Sequence, residues 1–302
     1  MTEPVKKQLH QSHLALLYRC GEKFRRIVME KEKEPSTTPL VIGSATHYTN
    51  ARNLTNKIDN GSLLPREEIM DYTRDDFNLH WEETQIMLTD EELSTGLIRT
   101  RDTAQDQTTR LVLAYHYDIA PQIKPKRVER KWVLEAPDHA FDMSGTMDVD
   151  EGHIIRDTKT MKVNGGQRIV DLSEQYTFYA MAKYYIDKIL PDYVYQDNLI
   201  KPTEKREAYG VSYRSTRTKD DFLVAITRFT TACNVIKAGS YVPANPVDPL
   251  CSPKFCGFYK TCPYVNGKRI TQLMTTGKEV KKAQAGATSI IDALTKTVKQ
   301  DA

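Results

Sequence analysis

Apolar residues in the first part of the chain recur every three or four positions, which is the spacing of an amphipathic helix. In the first such segment, Leu14, Leu17 and Phe24 fall on one face. The pattern predicts four helices, over about 8–29, 43–59, 66–88 and 102–119. The N-terminal region, about 1–120, is therefore expected to be helical.

The spacing of apolar residues changes to two after Pro125, as expected for β-strands. Val128, Trp132 and Leu134 share one face of the first strand, with Arg130 as an exception. Two further strands are predicted over 140–149 and 153–158, and the tight-turn sequence at 150–152 joins them into a hairpin.

Helical spacing returns twice in the second half of the chain. A helix over 171–190 is predicted to begin at a capping box formed by Asp171 and Glu174. A second helix, over 218–238, is opened by Thr218 with Asp221. A fourth strand is predicted between them, over 209–213. The centre of the chain is therefore expected to be an α/β unit.

Composition fits a globular protein but does not by itself identify a partner. The 302 residues are 39% hydrophobic and 27% charged, and the net charge is only +3. Local basic runs at 23–26, 124–131 and 268–282 are compatible with phosphate contacts, although such runs are usually solvated surfaces. No apolar run approaches the roughly 20 residues needed to cross a membrane. Because the N-terminus also lacks a secretory signal, a cytoplasmic protein with no membrane association is predicted.

Acidic residues gather around the predicted hairpin. If its turn takes two residues, Asp148 faces Ile155, and Asp157 lies diagonally from Asp148 on the same face of the sheet. Lys159 points to that face as well, because side chains alternate along a strand. Two carboxylates that share a divalent cation, with an ammonium beside them, suit phosphodiester hydrolysis. Oxygen ligands favour Mg²⁺ or Mn²⁺. The alternative is a surface strand with an Asp-Lys pair.

Four of the five cysteines frame this core. They are Cys20, Cys251, Cys256 and Cys262. A disulfide framework is not expected in a cytosolic chain of this length, so the cysteines predict a bound metal. Structural zinc and an iron–sulfur cluster are both open, and Pro263 after the last cysteine favours iron–sulfur. Cys233 falls on an apolar helix face and is interpreted as a structural thiol.

Four short motifs occur in order along the chain. They are G-x-x-x-H at 43–47, G-x-x-D at 145–148, D-x-K-T at 157–160 and Q-x-x-x-Y at 175–179. Together with the cysteines, they resemble the PD-(D/E)XK nuclease superfamily, in its RecB-like branch with an iron–sulfur cluster. That branch includes the CRISPR-associated RecB-like exonucleases and the AddB nuclease domain. The resemblance spans about 12–264, but Gly21 replaces a frequent proline and the spacing between Cys251 and Cys256 is wider than usual.

The resemblance implies a restriction-endonuclease-like α/β core, with a mixed central sheet flanked by helices, a helical N-terminal region and a cysteine-clasped C-terminal segment. It also implies that Lys159 is catalytic, and that Gln175 and Tyr179 position the substrate backbone or support the lysine. The implied metal ligands are His47, Asp148, Asp157 and the carbonyl of Thr158. The implied ligands of a structural [4Fe–4S] cluster are the four framing cysteines.

The activity implied is that of an Mg²⁺- or Mn²⁺-dependent deoxyribonuclease, a single-stranded DNA exonuclease with 5′→3′ polarity favoured and endonuclease activity possible. The implied partners are single-stranded DNA and helicase, recombination or spacer-acquisition proteins of a prokaryote or phage. Trp132, Tyr213 and Tyr259 are expected to line a passage for the strand. The alternative is a non-catalytic DNA-end-binding partner in a repair, recombination or spacer-acquisition complex. An electron carrier is disfavoured, because it leaves the carboxylates unexplained.

A single nuclease domain is expected over 1–268. It comprises the helical part, about 1–120, a catalytic core, about 121–240, and a cluster segment, 241–268. The remaining residues, 269–302, are expected to form a flexible or loosely helical tail because they are rich in Lys, Thr and Ala.

Overall fold

The structure is a computed structural model that describes residues 7–265. The chain divides into two compact units, Met1–Tyr241 and Val242–Ala302. The predicted tail, 269–302, lies outside the described residues, and the single nuclease domain over 1–268 stays a prediction. Within residues 7–265, the helices are too short or too polar to span a membrane.

A mixed sheet forms the centre of the first unit. The strands in the described residues are β1 (Lys7–His10), β2 (Ser36–Thr37), β3 (Ile86–Met87), β4 (Arg127–Leu134), β5 (Phe141–Asp150), β6 (Ile154–Met161), β7 (Tyr193–Ile200) and β8 (Tyr209–Ser215). Strands β1, β5, β6, β7 and β8 follow one another across the sheet, and β4 also pairs with β5. The β1–β5 and β6–β7 pairs are parallel, whereas the other pairs in this sheet are antiparallel. Strands β2 and β3 form a separate short ribbon.

Helices pack against this sheet in two apolar clusters. The α-helices in the described residues are α1 (Gln11–Arg19), α2 (Gly21–Phe24), α3 (Thr38–Asn60), α4 (Arg66–Glu82), α5 (Asp90–Thr95), α6 (Leu97–Ala114), α7 (Gln167–Asp171), α8 (Glu174–Asp187) and α9 (Lys219–Lys237). One cluster joins α1, α8 and α9 to the sheet, and the other joins α3, α4 and α6 to it. The predicted α/β class, with a mixed sheet flanked by helices, is confirmed.

The N-terminal helix predicted over 8–29 is wrong as a continuous element. Residues 7–10 form β1 instead, because the fully buried Leu9 packs into the core beside β5. Cys20 then interrupts the helix with an extended backbone, and a π-helical turn follows α2 over Arg25–Met29. The helix predicted over 43–59 begins earlier, at Thr38, since Pro39 occupies its first turn, where a proline is tolerated.

The predicted capping box of Asp171 and Glu174 is wrong as well. Asp171 ends the short helix α7, and α8 begins after Ser173, so the predicted single helix is two. By contrast, the capping box of Thr218 and Asp221 is confirmed, and the Thr218 amide donates to the Asp221 carboxylate at 2.7 Å.

Strand β7 was not expected from the sequence, although it lies inside the sheet between β6 and β8. Its centre carries Gln196, Asp197 and Asn198, which are all buried and interrupt the apolar pattern of a core strand. Their side chains are satisfied internally: Arg156 donates to Asp197 at 3.0 Å, and the Gln196 amide donates to Asn198 at 2.6 Å. The polar run is therefore a buried hydrogen-bonded layer.

Candidate metal and catalytic site

The hairpin between β5 and β6 has a different register from the one predicted. Asp150 pairs with Ile155 and Val149 with Arg156, so the turn is two residues longer than expected. The strands cease to pair just beyond this point, where Asp148 and Asp157 would stand opposite each other. In place of a ladder bond, the Thr158 amide donates to Asp148 Oδ2 at 2.8 Å. Asp148 and Thr158 line a small gap at this point.

His47 on α3 reaches this gap from the flanking helix layer. Its Nδ1 lies 3.2 Å from Asp148 Oδ2. Burial opposes protonation of His47, but the hydrogen bond and charge of Asp148 outweigh it and raise the pKa of the imidazole. In turn, burial opposes ionisation of Asp148, but His47 and Lys159 outweigh it and lower the pKa of that carboxyl. The structure thus brings His47 of the G-x-x-x-H motif into contact with Asp148 of the G-x-x-D motif.

Glu129 joins this group although no motif includes it. It lies on β4 between the residues that pair with Met147 and Val149, and so stands opposite Asp148. One ligating atom from each of His47, Glu129 and Asp148 lies within 4.8 Å of the other two. Burial, together with the negative charges of Asp148 and Asp157, raises the pKa of Glu129 to about 7. A bound cation would favour the ionised form of Glu129, whose ionisation is opposed in this way.

Asn50 lies one helical turn beyond His47, and both residues line the gap beside Asp148, which is a small cavity. The cavity measures about 10 Å³, close to the space of one water-sized sphere, and it is also bordered by Glu129, Asp148 and Thr158. Asn50 is 4% exposed, and neither polar atom of its amide has a hydrogen-bond partner within residues 7–265. A buried amide without partners is unfavourable, so a further polar occupant is indicated at this point.

Asp157 is held by the Q-x-x-x-Y helix, α8. Gln175 Nε2 donates to Asp157 Oδ1 at 2.9 Å, and the Tyr179 hydroxyl lies 3.3 Å from the same oxygen. Tyr176 also reaches Asp157, with its hydroxyl 3.2 Å from Oδ2 and 2.7 Å from Gln196 Oε1. These contacts fix the orientation of a carboxylate that is only 1% exposed.

Lys159 completes the group from the same strand as Asp157. Its Nζ lies 2.7 Å from Asp157 Oδ2, and its side chain is 39% exposed. Burial lowers the pKa of the Lys159 ammonium, but Asp157 and Asp148 outweigh it and raise that pKa above its ordinary value. Burial raises the pKa of Asp157, and Lys159 offsets part of this effect. The site therefore holds one ammonium, which stays charged at neutral pH and is reachable from solvent.

Comparisons with known proteins do not assign this chain to a family. No family model matches the sequence, and no curated protein does. A solved protein, in the crystal structure of SSO0001, is 10% identical, and its alignment covers 84% of this chain and 95% of that chain with a TM-score of 0.34. A likeness of this degree carries no argument about fold or function.

The framing cysteines fall in different units of the chain. Cys20 lies in the first unit at the beginning of α2, where its Sγ accepts a hydrogen bond from the Lys23 amide at 3.4 Å. Cys251 and Cys256 lie in consecutive backbone turns of the second unit, and Cys262 follows a short 3₁₀ turn there. Their common ligation of a [4Fe–4S] cluster or of zinc stays a prediction, as does the role of the Thr158 carbonyl.

The expectation that Trp132 lines a strand passage is wrong, because Trp132 is 3% exposed and its indole packs over Gly145. Tyr213 is half-buried and its hydroxyl accepts a hydrogen bond from Asn164 at 2.6 Å.

Two residues of the candidate site, Glu129 and Asn50, were not predicted from the sequence. Asn50 has a sequence signal, since it lies three residues after His47 on one helix face, whereas Glu129 has none.

Proposed function

We propose that this protein is a metal-dependent nuclease with a restriction-endonuclease-like core. The observation that carries the proposal is the convergence of His47, Asp148, Asp157 and Lys159 at the point where β5 and β6 separate. These residues belong to three motifs, of which the one at 43–47 lies about 100 residues before the two on the hairpin, and a fourth motif holds Asp157 in place.

The donor set fits Mg²⁺ or Mn²⁺. Carboxylate and amide oxygens suit both ions, and the imidazole of His47 is acceptable to Mn²⁺. The unpartnered amide of Asn50 gives a structural reason to expect an occupant beside these donors. We propose His47, Asp148 and Asp157 as ligands, with Glu129 as an additional ligand that the sequence did not predict. The chemistry that such an ion supplies when bound is activation of water and polarisation of a phosphoryl oxygen.

The side chains divide the work of hydrolysis between them. The role proposed for the solvent-accessible Lys159 ammonium is to donate to the attacking water or to a phosphoryl oxygen, and so to stabilise the charge that develops there. Gln175 and Tyr179 keep Asp157 oriented. Water adds its oxygen to phosphorus, the bond to one ester oxygen breaks, and that oxygen receives a proton. The products are a phosphate monoester and a hydroxyl end.

DNA is the proposed substrate because the order of the motifs resembles RecB-like nucleases, and single-stranded ends are the favoured form. A DNA-end-binding role without cleavage is the competing function. The intact set of Asp148, Asp157 and Lys159 favours the enzyme, since binding alone does not require a buried carboxylate, Asp157, paired with an ammonium.

The test compares cleavage of labelled single-stranded DNA, in Mg²⁺ and in Mn²⁺, by wild type and by Lys159→Met and Asp157→Asn. We expect Lys159→Met to lower kcat by about 10²–10³-fold, the usual cost of losing one stabilising donor. The loss in Asp157→Asn should be at least as large. Lys237→Met, at an exposed lysine of α9, is the matched control and should retain full activity.

Cleavage by both site variants at the wild-type rate would overturn the nuclease proposal. Binding of DNA ends by the wild-type protein without cleavage in either metal would support the competing function instead.

A further inference from the structure

A second, larger cavity adjoins the candidate metal centre. Its volume is about 410 Å³, within the range of small-molecule sites, roughly 300–1,000 Å³. Helices α3 and α4 and strand β4 form its walls. Ala51, Val128 and Glu129 line both this cavity and the small one at the metal centre. A group bound in the larger cavity would therefore lie directly beside a group bound at the metal.

An aromatic and cationic wall lines one side of the cavity. Tyr48, the residue after His47, is 46% exposed. The guanidinium carbon of Arg52 lies 5.0 Å from the Tyr48 ring centroid and 4.9 Å from that of Tyr72. The buried carboxylate of Asp76 holds Arg52 at 3.3 Å, and itself accepts a hydrogen bond from Thr49 at 2.9 Å. The wall is thus a preorganised stacking surface with one exposed ring.

The charges of the cavity exclude some ligands and favour others. Asp59, Glu68 and Glu129 line it, against Arg52, which is already paired with Asp76. A phosphate in this cavity would face the carboxylates and be repelled. A nucleobase is neutral and stacks on aromatic rings and guanidinium planes, and its exocyclic amino groups can donate to carboxylates.

We propose that this cavity binds the nucleobase next to the scissile phosphate, and that it favours bases with an exocyclic amino group over thymine. The assignment of the neighbouring phosphate as scissile rests on the proposed nuclease function. Recognition of the base rests on the cavity alone. An experiment can therefore contradict the nuclease function without contradicting the base-binding site, and the reverse.

The experiment measures binding of labelled single-stranded oligonucleotides by fluorescence anisotropy in Mg²⁺, with Lys159→Met as the parent protein so that cleavage during the measurement is slow. Adding Tyr48→Ala should weaken binding of oligo-dC by about 5- to 150-fold, the cost of one lost base–aromatic stack. Adding Tyr117→Ala, at an exposed tyrosine outside the cavity, is the control and should change nothing. Adding Thr55→Trp, which fills the cavity from an exposed helix position, should weaken binding as Tyr48→Ala does.

An abasic scan identifies the base that is bound. A series of oligonucleotides, each with one abasic site, should reveal one position at which the parent loses affinity and the protein with Tyr48→Ala loses none. Oligo-dT should bind the parent at least about 5-fold more weakly than oligo-dC, and Asp59→Asn with Glu68→Gln should reduce that difference. Equal binding of oligo-dT and oligo-dC would overturn the base preference.

Two results would overturn the site itself. One is equal affinity with Tyr48→Ala and Tyr117→Ala, and the other is an abasic scan in which every position costs both proteins the same. Coupling between Tyr48 and one base, in a wild-type protein that cleaves no DNA, would support the cavity and contradict the nuclease proposal. Cleavage of DNA by the wild-type protein without such coupling would support the nuclease proposal and contradict the base-binding cavity.

Discussion

Glu129 has a left-handed backbone, with φ at 49°, that residues other than glycine seldom adopt. Such a conformation costs about 1 kcal/mol or more, and it persists where the surrounding structure holds it in place. Here pairs with β5 on both sides of Glu129 hold the backbone, and the side chain meets His47 and Asp148. The strained residue therefore lies in the candidate metal centre.

Replacing Glu129 should weaken metal binding and leave the fold intact. We expect Glu129→Gln to lower Mn²⁺ affinity by at least about 10-fold, since even residues that support ligands contribute 10- to 100-fold. Isothermal titration with Mn²⁺ measures the effect, and Glu204→Gln, at an exposed turn, is the control. Equal affinities in these two variants would remove Glu129 from the ligand set.

The metal-ligand motifs contain two glycines, Gly43 on α3 and Gly145 on β5. They differ in the space that is available for a larger side chain. A Cβ on Gly145 of β5 would lie 2.6 Å from Trp132 Cζ2, which is a clash with a buried ring. A Cβ on Gly43 of α3 would lie 3.4 Å from Thr160 Oγ1, an ordinary contact. Only the strand glycine is required for packing.

Alanine substitutions at these two positions should differ in their effect on stability, and only Gly145→Ala should be destabilising. Gly145→Ala should lower the free energy of unfolding by about 1–3 kcal/mol, as overpacked core positions do. Gly43→Ala should leave it unchanged or raise it by up to about 1 kcal/mol, because alanine is the better helix former. Urea denaturation of both variants checks the contrast, and a large loss in Gly43→Ala would contradict it.

The first helix carries a histidine that must stay neutral. His13 Nδ1 accepts a hydrogen bond from the His10 amide at 3.3 Å, which a protonated nitrogen could not do. Burial, followed by the positive charges of His10 and Lys31, lowers the pKa of His13 to about 4. Between this value and the ordinary pKa of about 6.5, the unfolded chain binds a proton that the folded chain does not.

Stability should therefore fall as the pH is lowered from 6.5 to 4. The contribution of His13 is about 1–2 kcal/mol once solvent screening is allowed for. Denaturation at several pH values should show a smaller fall in His13→Asn, which cannot take up that proton, than in wild type. His153→Asn, at an exposed histidine, is the control and should follow wild type. An unchanged slope in His13→Asn would assign the acid sensitivity to other groups.

At the scale of the whole molecule, the cysteines are the feature that connects the two units in the sequence. One lies in the first unit and the other three lie in the second. If all four ligate one centre, they close a loop of more than 200 residues. By the chain-entropy relation for cross-links, such closure stabilises a fold by about 5 kcal/mol.

Loss of one framing cysteine should therefore remove the metal and lower the melting temperature. Anaerobically purified wild type should be brown with broad visible absorption, whereas Cys256→Ala should be colourless and less stable. Cys233→Ala, at the buried thiol of α9, should keep the colour. A colourless wild-type protein that contains zinc would contradict the iron–sulfur prediction in favour of structural zinc. A metal-free Cys256→Ala variant with an unchanged melting temperature would contradict the structural role of the metal.

The sequence alone was sufficient for what depends on local periodicity. The alternation of side chains places Asp157 and Lys159 on one face of β6 whatever the rest of the fold does. Spacing along a helix likewise places Asn50 on the face of His47, and Gln175 on that of Tyr179.

Only the tertiary structure decided which distant residues meet. The register of β4 against β5 brings Glu129 to Asp148, and no local pattern encodes that pairing. Strand β7 was not predicted for a related reason. The polar run Gln196, Asp197 and Asn198 is typical of a loop, and its burial in a strand depends on hydrogen-bond partners on neighbouring elements. Buried polar residues are stable only where hydrogen bonds satisfy them, and those bonds are made by segments far away in the chain.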